Sequence, residues 1–87
     1  MGEYKVISIT DRGGKPRTDG RYPLRIGRIC GKPYTRLGEP MEITWVSQSD
    51  GMPYVGEFRT SFVISVMEVN GTLTVTTRNS IYTFARV

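Results

Sequence analysis

The residues of this 87-residue chain best suited to chemistry are its cations, and they crowd into its first part. Residues 1–36 hold nine Lys or Arg against three acids, a net of +6, while residues 37–87 hold three against five, a net of −2. Such polarity favours an anionic partner near the N-terminal half. The segment from Asp11 to Gly20 is rich in glycine and carries Arg12, Lys15 and Arg17, with Arg21 just beyond. It lacks the Gly-x-x-x-x-Gly-Lys-Ser/Thr spacing of a nucleotide loop, and no helix is expected after it to hold a phosphate at its N-terminus. A basic loop over residues 11–23 is expected instead, gripping nucleic-acid phosphates or an acidic protein surface. Having almost no apolar residue to offset its ordering entropy, it is expected to be mobile until a partner holds it. Tyr22, Tyr34 and Tyr54 stand among Gly, Pro and Arg, where a ring can stack a base or anchor an interface. Lys32 and Arg36 flank Tyr34. The partner-binding set is therefore Arg12, Lys15, Arg17, Arg21, Tyr22, Lys32, Tyr34 and Arg36. The plainer alternative is a set of solvated loops whose tyrosines seal one end of the fold.

Catalysis has little to build on. The chain has no His, which excludes Ser-His-Asp and Cys-His nucleophile arrangements and any Cys/His zinc site. Cys30 is the only cysteine, so it forms no internal disulfide. Arg28 and Lys32 beside it would favour a thiolate, but a lone cysteine is more often a small buried hydrophobe. Asp50 and Glu57, like Glu39 and Glu42, lie in no apolar run that would hold one of them protonated, and read as solvated acids. No Asp-x-Asp-x-Asp pattern offers a Ca²⁺ loop. No catalytic, cofactor or metal site is expected, and the chain is taken not to be an enzyme.

The elements that must carry the cations are strands. Glu3–Thr10 is β-rich but alternates imperfectly. Tyr22–Cys30 is expected to be a second strand, with a bulge at Gly27 reconciling Leu24 and Ile26 with Ile29. Met41, Ile43 and Trp45 alternate cleanly. Residues 47–58 form either a hairpin tip or an irregular loop. The clearest signal is a C-terminal meander over residues 61–86. Asn70-Gly71 suits a type I′ turn, pairing Val69 with Thr72, Glu68 with Leu73, Val66 with Val75 and Ile64 with Thr77. One face then collects Phe62, Ile64, Val66, Leu73 and Val75, and a turn at residues 78–80 adds Tyr82 and Phe84. No window has helical periodicity. Five or six short strands joined by Gly/Pro loops predict an all-β single domain over residues 1–87. An SH3-like barrel fits best, with an OB-like barrel or small sandwich second. Apolar runs are short and the N-terminus shows no charged stretch followed by a hydrophobic one, so a reducing cytosol and no membrane insertion are expected.

The segments Arg59–Val66 and Gly71–Phe84, above all Thr60-Ser61 and Thr77-Arg78-Asn79-Ser80-x-Tyr82, resemble the C-terminal hairpin of short, uncharacterised β-proteins of bacteriophages and other bacterial mobile elements. That resemblance implies a small intracellular accessory protein that acts by binding, and it carries no catalytic residue. The expected function is a non-enzymatic binding module that occupies a host protein or nucleoprotein, such as a defence complex. The alternative is a nucleic-acid-binding barrel using the basic loop and loop tyrosines. Sheet edges could also pair a second copy.

Overall fold

In the computed structural model, which describes residues 2–87, alternating side chains lay down six strands and one helical turn. They run in order as β1 (Glu3–Asp11), α1 (Tyr22–Arg25), β2 (Ile29–Gly31), β3 (Pro40–Ser47), β4 (Pro53–Val69), β5 (Thr72–Thr77) and β6 (Ser80–Arg86). Each strand pairs antiparallel with the next, and β6 returns to β1, closing the sheet into a ring. The interior holds Tyr4, Val6 and Ile9 of β1, Cys30 of β2, Met41, Ile43 and Trp45 of β3, Val63 of β4, Leu73 and Val75 of β5, and Tyr82 and Phe84 of β6.

Of the register slips in the sheet, two decide which residues of β1 and of the second half of β4 reach that interior. Between Val6 and Ser8 the pairing of β1 with β6 slips, so Ile7 points out while Val6 and Ile9 point in. This explains the imperfect alternation of the first strand. The second slip lies in β4 between Val63 and Ser65. The Asn70-Gly71 turn forms as expected, with φ of 50° and 81°, and Val69–Thr72, Glu68–Leu73 and Val66–Val75 pair as anticipated. The ladder then changes phase. Val63, not Ile64, pairs with Thr77 and enters the core. Phe62, Ile64 and Val66, anticipated as core, are 54%, 49% and 40% exposed.

The last reversal is at Arg78-Asn79. The Ser80 N–H donates to Thr77 Oγ1 and the Thr77 hydroxyl donates to the Ser80 carbonyl, both at 3.2 Å and both buried. Thr60 and Ser61 tie neighbouring segments: Met41 N–H donates to Thr60 Oγ1 and Asn79 N–H to Ser61 Oγ. Of residues 47–58, only 48–52 form a hairpin tip, closed by Gln48 N–H to Met52 O at 2.9 Å and by Gly51 at φ 89°, while 53–58 already belong to β4 and pair with β3.

The strand expected over Tyr22–Cys30 exists only from Ile29. Pro23 sits in the first turn of α1, where its fixed φ is an asset and its missing N–H costs nothing. Gly27, at φ 88°, ends the turn, and a Cβ there would stand 2.9 Å from Ser49 Cβ.

Leu73→Ala is expected to cost about 2–5 kcal/mol, and Ile64→Ala no more than about 0.5 kcal/mol. Urea unfolding of the two variants checks the phase change, which reversed values would contradict.

Candidate functional site

The segment after β1 reaches the site already folded. Asp11 Oδ1 accepts the N–H groups of Gly13 and Lys15, and Arg17 N–H donates to Ile9 O at 3.0 Å. The Arg17 guanidinium donates to Asn79 O and to Ser80 Oγ, the latter at 2.8 Å, and pairs with Asp19 at 3.2 Å. The mobile loop expected from composition is thus anchored at Arg17, because polar contacts to the Arg78-Asn79 turn replace the missing apolar ones. Beyond α1, Gly27 N–H donates to Val6 O and Val6 N–H to Arg28 O, fixing Arg28 against β1.

Cations and rings then interleave. Arg17 lies 4.3 Å from the centroid of the Tyr22 ring, and Arg25 lies 5.3 Å from the same ring and 4.0 Å from Phe58. Arg28 stands 5.1 Å from Trp45 and 4.5 Å from Tyr54. Trp45 and Phe58 stack at 6.4 Å, which joins the two halves. Each cation–ring contact is worth about 0.5–2 kcal/mol, more as water is excluded.

Apart from Arg17, the charges in this cluster lack carboxylate partners among the described residues. Among the described residues, ion pairs join Arg17 to Asp19, Arg36 to Glu39 and Arg59 to Glu42, and none involves Arg21, Arg25 or Arg28. Arg28 Nε is buried and has no hydrogen-bond partner among them. Burial lowers the Arg25 pKa from its ordinary value; Tyr82 and Tyr22 oppose this, while the like charges of Arg28 and Arg21 add to it. An arginine stays cationic under such shifts. The arrangement therefore offers planar, positively charged donors in a setting that favours an anion, with rings beside them that can stack a planar group.

Of the anticipated partner-binding residues, Arg17 and Tyr22 belong to this cluster and Arg21 acts on it through its charge. Arg17 serves the fold as much as any ligand. Arg12 and Lys15 are exposed on the same loop, with Arg12 reaching Arg78 O at 3.4 Å. Tyr34 and Arg36 meet each other instead: Tyr34 bridges Glu42 of β3, and Arg36 contacts the Tyr34 hydroxyl and Glu39, while Lys32 is exposed. Arg25, Arg28, Trp45 and Phe58 were not anticipated. No local spacing announces Arg25 and Arg28, because Gly27 ends the single turn of α1 between them and rings from β3 and β4 define the cluster.

Cys30 is fully buried, and burial pushes its thiol up from 9.0 to about 12. Arg28 and Lys32, two residues away on either side, do not activate it: desolvation of the thiolate dominates and the Glu3 charge adds to it. Among the described residues no three Cys, Asp or Glu cluster tightly enough to hold a metal ion. Among the described residues no helix is long and apolar enough to cross a membrane.

No known family model, curated protein or solved structure matches the chain.

Because folding raises the Cys30 pKa, the stability it contributes is whole below 9.0 and is lost as pH climbs through about 12. Alkaline unfolding of Cys30→Ala is therefore expected to show a shallower stability loss in that window. Part of the slope will remain, since burial also raises the Tyr82 pKa. The native thiol is expected to resist an aromatic disulfide reagent until the chain unfolds; rapid native labelling would contradict this.

Proposed function

We propose that the chain is a non-enzymatic module that binds a phosphate-bearing partner, namely a single-stranded nucleic acid or the nucleic-acid part of a nucleoprotein. The observation that carries the reading is that Arg25 and Arg28 sit against aromatic rings with no carboxylate to neutralise them. Structural arginines in a partly dry setting are ordinarily paired; here rings supply the support and the positive charge stays available. Rings and cations side by side suit a strand whose bases stack while its phosphates are gripped. The net charge of +4 adds long-range attraction.

We read the closed sheet as a small SH3-like barrel. Sequential neighbours pair all the way round, unlike the Greek-key order of an OB fold. A long connection also follows the first strand and a tight hairpin ends the chain. Taken with the resemblance of the C-terminal strands to mobile-element proteins, the reading is of a cytoplasmic accessory protein that occupies a host nucleoprotein, for example a defence complex. Burial of Cys30 and the absence of His support a role without catalysis.

Fluorescence anisotropy with a short single-stranded oligonucleotide tests this. Affinity is expected to fall steeply between roughly 50 and 200 mM salt, and Arg25→Gln with Arg28→Gln to lower the logarithmic salt slope by about 1.4. Circular dichroism establishes that the double variant is folded. Absence of binding at low salt, or an unchanged slope in the folded variant, would overturn the assignment.

A further inference from the structure

We propose that the open edge of β4 pairs with the same strand of a second copy, making a two-fold dimer that does not depend on the arginine cluster. The type I′ turn at Asn70-Gly71 decides which backbone groups are free. In such a hairpin the residues flanking the turn exchange hydrogen bonds and alternate residues follow suit, so Val69, Met67 and Ser65 bond to β5. Val66 and Glu68 turn their N–H and C=O groups the other way.

On that other side the ladder with β3 stops at Phe62, and the backbone of Val63 is taken by Gly38 and Glu39, with Val63 N–H to Glu39 O at 2.8 Å. No loop bond among the described residues reaches Val66 or Glu68. Natural edges are ordinarily blunted by lysine or proline, or twisted away by a bulge. Residues 64–69 contain neither residue type, and the slip near Ile64 lies at the start of the open stretch rather than across it. Both faces are apolar and open: Ile64, Val66, Met67 and Val69 are all 40% exposed or more.

Unpaired backbone groups call for a strand, and the chain's own strand fits by charge and by register. In a molecule of net charge +4 this stretch carries no cation, and its one acid, Glu68, is held by the Tyr4 hydroxyl at 2.7 Å. Antiparallel pairing about Met67 sets Val66 of each copy opposite Glu68 of the other. That makes four backbone hydrogen bonds and keeps the two carboxylates from facing one another, a pairing that is unfavourable when direct. The contact is isologous and closed, so it stops at two copies. One edge strand with flanking side chains buries less than the roughly 1,200 Å² at the lower end of stable interfaces, which places the association in the weak class.

Sedimentation equilibrium over a wide protein concentration range, without nucleic acid, is the test, combined with amide hydrogen exchange. The wild type is expected to move from monomer to dimer, with exchange at Val66 and Glu68 slowing as it does so. Met67→Lys, which alters an exposed side chain, and Val66→Pro, which removes an outward N–H, are both expected to remain folded monomers. A wild type that stays monomeric would overturn the proposal. So would a dimer that leaves those amides unprotected, or one that survives Met67→Lys.

Discussion

The basic loop is held at the candidate site by the seam where β6 returns to β1. The seam runs from Tyr4 against Arg86 to Asp11 against Ser80, with one slip at Ile7. It brings the N-terminal, cationic part of the chain beside the Arg78-Asn79 turn, and Arg17 bonds across the gap. On its other side, Val6 uses its N–H and C=O on Arg28 and Gly27, which sets the height of α1 above the core. The β2–β3 pairing, Cys30 with Trp45, sets Arg28 beside Trp45, and the β3–β4 pairing places Phe58 and Tyr54 there; closure adds Arg17 and its anchors to a cluster that neighbouring strands assemble.

Holding several cations together in a partly buried cluster is costly, because desolvation and like-charge repulsion act in the same direction. The rings offset this only partly: quadrupole attraction steadies a guanidinium without cancelling its charge. The remaining imbalance shows as the unpartnered Arg28 Nε and the lowered Arg25 pKa. A bound anion would offset the like-charge repulsion among Arg21, Arg25 and Arg28, though not the burial that is the first cause of the lowered Arg25 pKa. Its aromatic half is also core. Trp45 stacks on Phe58, Phe58 meets Tyr82, and Tyr82 stacks with Phe84, so the site shares the rigidity of the interior.

How much of this was legible in the sequence depended on how local the deciding interaction is. Asn70-Gly71 fixes its own turn through backbone sterics, so the pairing from Val69 back to Val66 and the burial of Leu73, Val75, Tyr82 and Phe84 followed from it. The slip near Ile64 is not announced by any glycine or proline, and one extra residue inverts the phase of everything before it. For that reason Phe62 and Ile64 were misplaced and Val63 missed. Leu24 and Ile26 alternate as a strand would, yet Pro23 and Gly27 cut the segment to a single turn, too short for helical periodicity to register. The loop from Asp11 to Gly20 looked mobile because its anchors, Asn79 and Ser80, lie some sixty residues away. The basic character of the site was visible in composition. Its actual members, Arg25 and Arg28, were not, because rings from β3 and β4 define them and no local pattern records that meeting.

Arg25 and Arg28, braced by Trp45, Phe58 and Tyr54, are the surface we propose to receive phosphates. Nuclear magnetic resonance titration with a short single-stranded oligonucleotide tests it most directly. The Arg25 and Arg28 Nε–H signals and the Trp45 indole N–H are expected to shift together and saturate together, while the amides of residues 64–74 hold still. Shifts confined to the loop carrying Lys32, Tyr34 and Arg36, with the Arg28 and Trp45 signals unmoved, would contradict it.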